Sequence, residues 1–180
     1  QTCALPIYDM ANTLDIINTR SSIRAYTNQP IDEDLCKVLV EAGLKAPTAA
    51  NHQEIHITVT KGSDPVQKEI QNDLNPDAEK TFYYNAPLIL YLSGDDNFGW
   101  SAVDAGIAVE NIHLAAADLG LGSVILGCMK KVLNGEKKAY YDRKLGIPEG
   151  YSFQVAIAIG YPDTEKQPHD FDYEKNVNVL

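Results

Sequence analysis

The sequence predicts an α+β sandwich in which one central sheet of three or four strands is interleaved with helices. Three observations carry this expectation. Pro87 to Ser93 (PLILYLS) is a continuous apolar run of strand length, the pattern of a strand buried on both faces. Trp100 to Leu119 is a longer segment with apolar or small residues on nearly every side, so a helix there must be buried all round. Elsewhere, alternating stretches and stretches of helical period follow one another along the chain.

Taken in order, Asn12 to Thr19, with Leu14, Ile16 and Ile17 apolar, reads as a short helix. Asp32-Glu33-Asp34 opens a second helix, with carboxylates where the helix dipole favours them. Leu35, Val38, Leu39 and Ala42 recur at helical spacing through Ala46, and Pro47 stops the run. Glu54 to Lys61 sets Ile55, Ile57 and Val59 against His56, Thr58 and Thr60, which is strand periodicity. Pro65 to Leu74 reads as an amphipathic helix and Asp77 to Tyr84 as a weaker one. After PLILYLS, Asp95-Asp96-Asn97 is a turn.

The long helix that follows is dominated by Ala102, Ala105, Gly106, Ala108 and Ala115 to Ala117. In a domain this small, burial on all sides implies packing against a second subunit as well as the domain's own sheet. Gly120-Leu121-Gly122 ends that helix, and Ser123 to Leu126 is a short strand closed by Gly127. Glu136 to Leu145 is a basic, exposed helix ended by Gly146 and Pro148, and Tyr151 to Tyr161 is another inner strand. Past Pro162 there is no helical period, and an extended arm is expected. No glycine-rich turn links a first strand to a helix, so the order is not that of a doubly wound nucleotide fold.

Size and charge narrow the function classes. With 180 residues, 44% of them hydrophobic, the chain builds one sizeable core, and a single domain over residues 10–180 is expected. Its 15 basic against 25 acidic side chains, net charge −10, argue against nucleic acid as a partner. No apolar run reaches membrane-spanning length. The three cysteines, Cys3, Cys36 and Cys128, lie far apart and suit neither a disulfide framework nor a metal site. A soluble protein of the reducing cytoplasm is the expectation, with Cys36 a small buried residue. Residues 1–9 are expected to be a non-native or disordered leader, since QTCALPI reads like a translated sequencing adapter and Met10 is a natural start.

Against this acidic background, two of only three arginines stand one helical turn apart in Arg20-Ser21-Ser22-Ile23-Arg24. A planar guanidinium matches phosphate or carboxylate, and hydroxyls or free N–H groups complete such a site. Surface ion pairing accounts equally well for the arginines taken alone. A second polar stretch, Ala46-Pro47-Thr48-Ala49-Ala50-Asn51-His52-Gln53, offers hydroxyl, amide and backbone groups, although an ordinary connection fits its composition. A third, Ser123 to Cys128, ends a strand in glycine, which lets backbone N–H groups approach a flat ligand or simply makes a turn.

Together these segments resemble a known family. Arg20-Ser21-Ser22-Ile23-Arg24-Ala25-Tyr26 is similar to the R-x-S-x-R-x-[FY] opening of the FMN-dependent nitroreductases. Ala46 to Gln53 is similar to their A-P-[ST]-x-x-N-x-Q loop. Asp104-Ala105-Gly106 through Leu119-Gly120-Leu121-Gly122-Ser123 resembles their central helix and turn. Ile125-Leu126-Gly127 and Ile159-Gly160-Tyr161-Pro162 match the I-x-G and final G-Y-P. The matches occur in family order from about Leu14 to Pro162.

The resemblance implies a three-layer sandwich with a mostly antiparallel central sheet, and an intertwined homodimer with FMN sites built from both subunits. Arg20, Ser22 and Arg24 would grip the phosphate and ribityl chain, with Ser21 contributing backbone. Pro47, Thr48, Asn51 and Gln53 would come from the partner and meet the ribityl and isoalloxazine. The N–H of Leu126 or Gly127 would point at flavin N5 and O4. Lys166 and His169 stand where the family often has a basic pair closing on the phosphate. Three departures stand out: Glu54-Ile55 replaces a common Pro-Trp, Leu126 replaces an acidic residue of larger relatives, and the chain lacks long insertions over the pocket. An open pocket of broad specificity is expected.

The implied activity passes electrons from NADH or NADPH to a nitroaromatic, quinone or similar flat electrophile by a ping-pong mechanism. No side chain need act as acid or base. The alternative is a non-enzymatic dimer that stores or senses flavin or another anion. His52 and His56 would not face one metal from a strand, and no metal is expected. Glu110, Asn111 and His113 read as buried polar groups satisfied across the dimer. Trp100 and Tyr83 or Tyr84 are candidates to flank a flavin, although packing in the core or interface is the favoured reading for each.

Overall fold

The computed structural model describes residues 12–77, 79 and 81–180. The expectation for residues 1–9 therefore lies outside the described residues. Four strands form one antiparallel sheet in the order β1-β2-β4-β3, with β1 at His56–Lys61, β2 at Leu88–Asp95, β3 at Gly122–Leu126 and β4 at Tyr151–Gly160. Strand β2 is buried along almost its whole length, as its unbroken apolar sequence requires.

The pleat divides the core between the two faces of the sheet. Leu88, Leu90 and Leu92 of β2 and Ile157 and Ile159 of β4 pack on α2 (Glu33–Leu44) and α4 (Ser101–Asp118). Ile89, Tyr91, Phe153, Ala156 and Ala158 face the other way, toward α3 (Pro65–Leu74), α5 (Lys130–Leu133) and α6 (Lys138–Leu145). The result is the three-layer sandwich expected. Gly43 allows α2 to seat closely on α4, because a Cβ there would stand 2.8 Å from the Ile112 side chain.

Helix starts follow local chemistry. Asn12 caps α1 (Thr13–Thr19) by accepting from the Leu14 N–H at 3.2 Å, and Asp64 caps α3 through the Val66 N–H with Pro65 in its first turn. Gly146 ends α6 in the left-handed conformation. Among the described helices none is long and apolar enough to cross a membrane.

Several expectations need correction. No helix forms at the end of Asp77 to Tyr84: residues 82–85 are turns, with Tyr84 and Asn85 at φ 56° and 57°. Tertiary packing wins there, because Tyr83 is driven inward, where the Tyr91 hydroxyl donates to its oxygen at 3.0 Å. Helix α6 begins at Lys138 and is exposed on one side only, since Tyr141 and Leu145 are buried. Cys36 is half-buried. Trp100 is exposed, so it is no part of this chain's core. The arm after Pro162 is extended but carries one helical turn, α7 (Tyr173–Asn176), capped by Asp172.

Helix α4 is not buried all round within one chain. Ala102, Val103, Gly106 and Ile107 form an exposed stripe on it, Val103 being 50% and Ile107 38% accessible. Leu14 and Ile17 of α1 and Val38 and Leu44 of α2 are exposed too. The arm adds exposed Phe171, Tyr173, Val179 and Leu180.

Candidate functional site

Helix α1 stops at Arg20, which turns to extended backbone (φ −57°, ψ 137°) while its N–H still bonds the Ile16 carbonyl. The segment that follows is stitched to the sheet. Ser22 bridges Ser123 at the start of β3, and the Ile23 N–H donates to the Ser123 carbonyl at 2.9 Å. Tyr26 anchors the other end: it is buried, bridges Pro162, and its hydroxyl lies 2.6 Å from the Ile23 carbonyl oxygen. Burial, against the pull of Arg24, raises the Tyr26 hydroxyl well above the usual tyrosine range. Tyr26 therefore stays protonated and serves as a structural pin.

Arg20, Ser21 and Ser123 line one cavity of about 230 Å³, together with His113, Gly122 and Thr164. Arg20 Nε stands 3.5 Å from Glu110 Oε1, which leaves most of its donors unspent. Arg24 is exposed and makes one long bond, Nη1 to the Ser22 carbonyl at 3.4 Å. The Ser21 hydroxyl donates to the Lys166 carbonyl at 2.9 Å, so the arm passes directly beside the cluster. The hydroxyl of Ser123 and both ring nitrogens of His113 are buried without a hydrogen-bond partner. Buried polar atoms of that kind are uncommon and mark a place where a ligand or water completes the network.

The second polar stretch is a strained loop. Ala50, Asn51 and Gln53 all take left-handed backbone, with φ of 51°, 53° and 56°. Non-glycine residues pay for that geometry, and such clusters concentrate at functional sites. Local bonds hold it: the Gln53 N–H to Thr48 Oγ1 at 2.9 Å, and Gln53 Nε2 to Asn51 Oδ1 at 3.2 Å. The tie to the body is Asp104, fully buried in the first turn of α4, whose Oδ2 accepts the Ala49 N–H at 2.9 Å. His52 stacks on Phe98 with ring centroids 4.1 Å apart. Just past the loop, Glu54 is 5% exposed and neither carboxylate oxygen has a partner.

Within one chain the predicted residues fall into separate groups. Thr48 and Gln53 line a cavity of about 270 Å³ that shares no residue with the arginine cavity. The loop meets α4 at Asp104, whereas the arginine cluster meets it at Glu110 and His113, the latter about 13 Å further along the axis. Leu126 is buried and Gly127 exposed at the far end of β3, and nothing lies within 4 Å of a Cβ built on Gly127. Pro47 is exposed beside the loop, and Lys166 and His169 are exposed on the arm. Among the described residues, no three His, Cys, Asp or Glu side chains converge as a metal site would need.

The family model of the nitroreductase family matches residues 17–161, from within α1 to the residue after β4. The chain belongs to the nitroreductase family. It is 33% identical over 168 residues to an Archaeoglobus fulgidus protein provisionally named NADH dehydrogenase/NAD(P)H nitroreductase, covering 91% of this chain and 92% of that one. Its fold superposes on the crystal structure of a nitroreductase with bound FMN from Desulfitobacterium hafniense DCB-2, with TM-score 0.83 and 26% identity over 95% of this chain and 100% of that chain. An FMN-dependent nitroreductase from Clostridium difficile R20291 gives TM-score 0.83 at 28% identity, covering 93% and 98%.

Asp104 and Glu54 are residues whose structural place the sequence did not reveal; of the three polar residues expected to be buried on the central helix, His113 is, but Glu110 is 44% exposed beside Arg20 and Asn111 donates to the Ala42 carbonyl of the same chain. Asp104 sat inside a family motif without a role. Only the folded chain shows it tying down a loop more than fifty residues earlier.

Proposed function

We propose that this nitroreductase-family chain is an FMN-dependent NAD(P)H oxidoreductase that works as a homodimer, each flavin site being shared between two chains. One observation carries the reading. The arginine cluster and the strained polar loop contact different turns of α4, and an exposed apolar stripe runs along the same helix. Pairing that stripe with its copy buries Val103 and Ile107, and would bring the loop of one chain to the arginine cluster of the other. The exposed apolar residues of the arm suit an embrace of the partner.

The residues present fit the cofactor. Arg20 and Arg24 have unspent donors for a phosphate dianion, and the unpartnered Ser123 hydroxyl lies in the same cavity as Arg20. Arg20, Ser22 and Arg24, with the Ser21 backbone, would hold the phosphate and ribityl chain. Lys166 and His169 supply further positive charge from the arm, Lys166 being the better placed because its carbonyl already bonds Ser21. Pro47, Thr48, Asn51 and Gln53 of the partner subunit would meet the ribityl and ring. The N–H of Leu126 or Gly127 would stabilise negative charge at N5 and O4, and the open space over Gly127 admits a flat ring.

When bound, FMN supplies the transfer of hydride and electrons between a nicotinamide and a flat acceptor such as a nitroaromatic or quinone. The protein's part is to anchor the phosphate, present N–H donors to the ring and leave one face open. Donor and acceptor then use that face in turn, which gives ping-pong kinetics.

The visible spectrum of the purified protein, before and after denaturation, is the direct test. Flavin absorption released as FMN, and its rapid anaerobic bleaching by NADH or NADPH, is the expected result. Flavin that binds but resists reduction favours a store or sensor. A colourless protein that fails to take up FMN overturns the reading.

A further inference from the structure

Arg20 is held from α4 as well as from α1. Glu110 Oε1 lies 3.5 Å from Arg20 Nε, and its Oε2 lies 3.5 Å from Nδ1 of His113, one turn along the helix. A guanidinium has two usable edges, one containing Nε and one formed by the two Nη groups. A carboxylate drawn to the Nε side leaves the Nη edge free for a second anion. The Arg20 side chain is 19% exposed and Glu110 44%, so the carboxylate bridges a sheltered arginine and solvent.

His113 stands behind this pair, 2% exposed and inside the same cavity as Arg20, Ser21 and Ser123. Burial first, and then the Arg20 charge, lower its pKa, while Glu110 and the Ser21 backbone pull the other way. A neutral ring 3.5 Å from Glu110 does not compete with Arg20 as a cation for its charge.

We infer that Glu110, with His113 beside it, is a positioning residue that aims the Nη edge of Arg20 at the cofactor phosphate and so sets a preference for FMN over riboflavin. This rests on the FMN reading above. It makes a distinction that simple ion pairing does not: only a ligand carrying the phosphate feels the loss of Glu110.

The test titrates the full-length apoprotein with FMN and with riboflavin, following flavin fluorescence, for the wild type and Glu110→Gln. The wild type should bind FMN far more tightly than riboflavin. Glu110→Gln should weaken FMN by about threefold to tenfold, part of the worth of the charge-assisted Arg20 contact that it orders, and leave riboflavin unchanged. Equal weakening of both ligands assigns Glu110 a merely structural role and overturns the inference. Unchanged or tighter FMN binding also overturns it, because the carboxylate would then act only as a repulsive charge. A wild type that does not discriminate between the two ligands overturns the cofactor reading and this inference together. Glu110→Asp, which keeps the charge but withdraws it by one methylene, carries the same test if Glu110→Gln does not fold, with a smaller loss for FMN alone.

Discussion

The tie between Asp104 and the strained loop is open to direct measurement. Asp104→Ala removes the carboxylate that accepts the Ala49 N–H at 2.9 Å and leaves that donor with no partner in the body of the domain. A bond from backbone N–H to a buried carboxylate contributes about 1.5–3 kcal/mol. The loop it restrains carries three non-glycine residues in left-handed backbone, each costing about 1 kcal/mol, so it is poised to relax once released. Relief of the carboxylate's own desolvation offsets part of the loss. The net expectation is about 2 kcal/mol, which is close to a thirtyfold change in the opening equilibrium of the loop.

Hydrogen exchange on a peptide covering residues 46–54 reads that opening directly and should show about thirtyfold faster exchange. If the release spreads to the whole domain, the thermal midpoint falls by about 4–8 °C, at 2–4 °C per kcal/mol for a chain of this size. Asp104→Asn, which keeps an oxygen acceptor, should recover more than half of the effect. Unaltered exchange in Asp104→Ala, with a midpoint within a degree of the wild type, would refute the claim that this carboxylate holds the strained loop.

Other perturbations separate the remaining parts. Arg20→Ala and Arg24→Ala should each weaken FMN binding by about tenfold to a hundredfold, the loss of one charged phosphate contact, with the thermal midpoint of the apoprotein nearly unchanged; fluorescence titration and calorimetry check the two halves of that statement. Ile107→Glu places a charge in the exposed stripe of α4 and should convert a dimer to a monomer in sedimentation velocity, with loss of FMN. Asp73 tests the α3–α6 contact: hydrogen bonds from Lys137 and then Tyr141 hold its carboxyl below the usual range. A depressed folded pKa stabilises above the unfolded value near about 4 and is lost as pH falls through the folded one. The urea midpoint of the wild type should therefore exceed that of Asp73→Asn at pH 7, and the gap should close as pH drops below about 4.

What the sequence made legible was whatever one element encodes by itself. The unbroken run PLILYLS could only be a central strand, and the amphipathic period of Pro65 to Leu74 matches α3 at both ends. Where two elements compete for a residue, the local signal failed: Tyr83 left its helical pattern because the core on β2 offered its oxygen the hydroxyl of Tyr91 and its ring a buried place. The site behaves in the same way. Arg20 to Arg24 and Ala46 to Gln53 were visible as polar clusters, but their supports, Glu110 and Asp104, are ordinary acidic residues on a helix until α4 is packed between them.

The all-apolar character of α4 was readable, yet its meaning depends on which faces one chain covers. Leu39, Leu90 and Ile157 cover one side and leave Val103 and Ile107 bare, so the same sequence pattern serves a core face and an exposed apolar face at once. A helix packed on its own sheet on one side and on a partner on the other, as in the proposed dimer, needs small residues on both sides to let backbones approach. The alanines and Gly106 meet both demands with one composition. If the bare stripe is the dimer seam proposed above, fold and assembly share a single constraint in this helix, while Asp104 in its first turn and Glu110 near its middle tie it to the loop and to the arginine cluster.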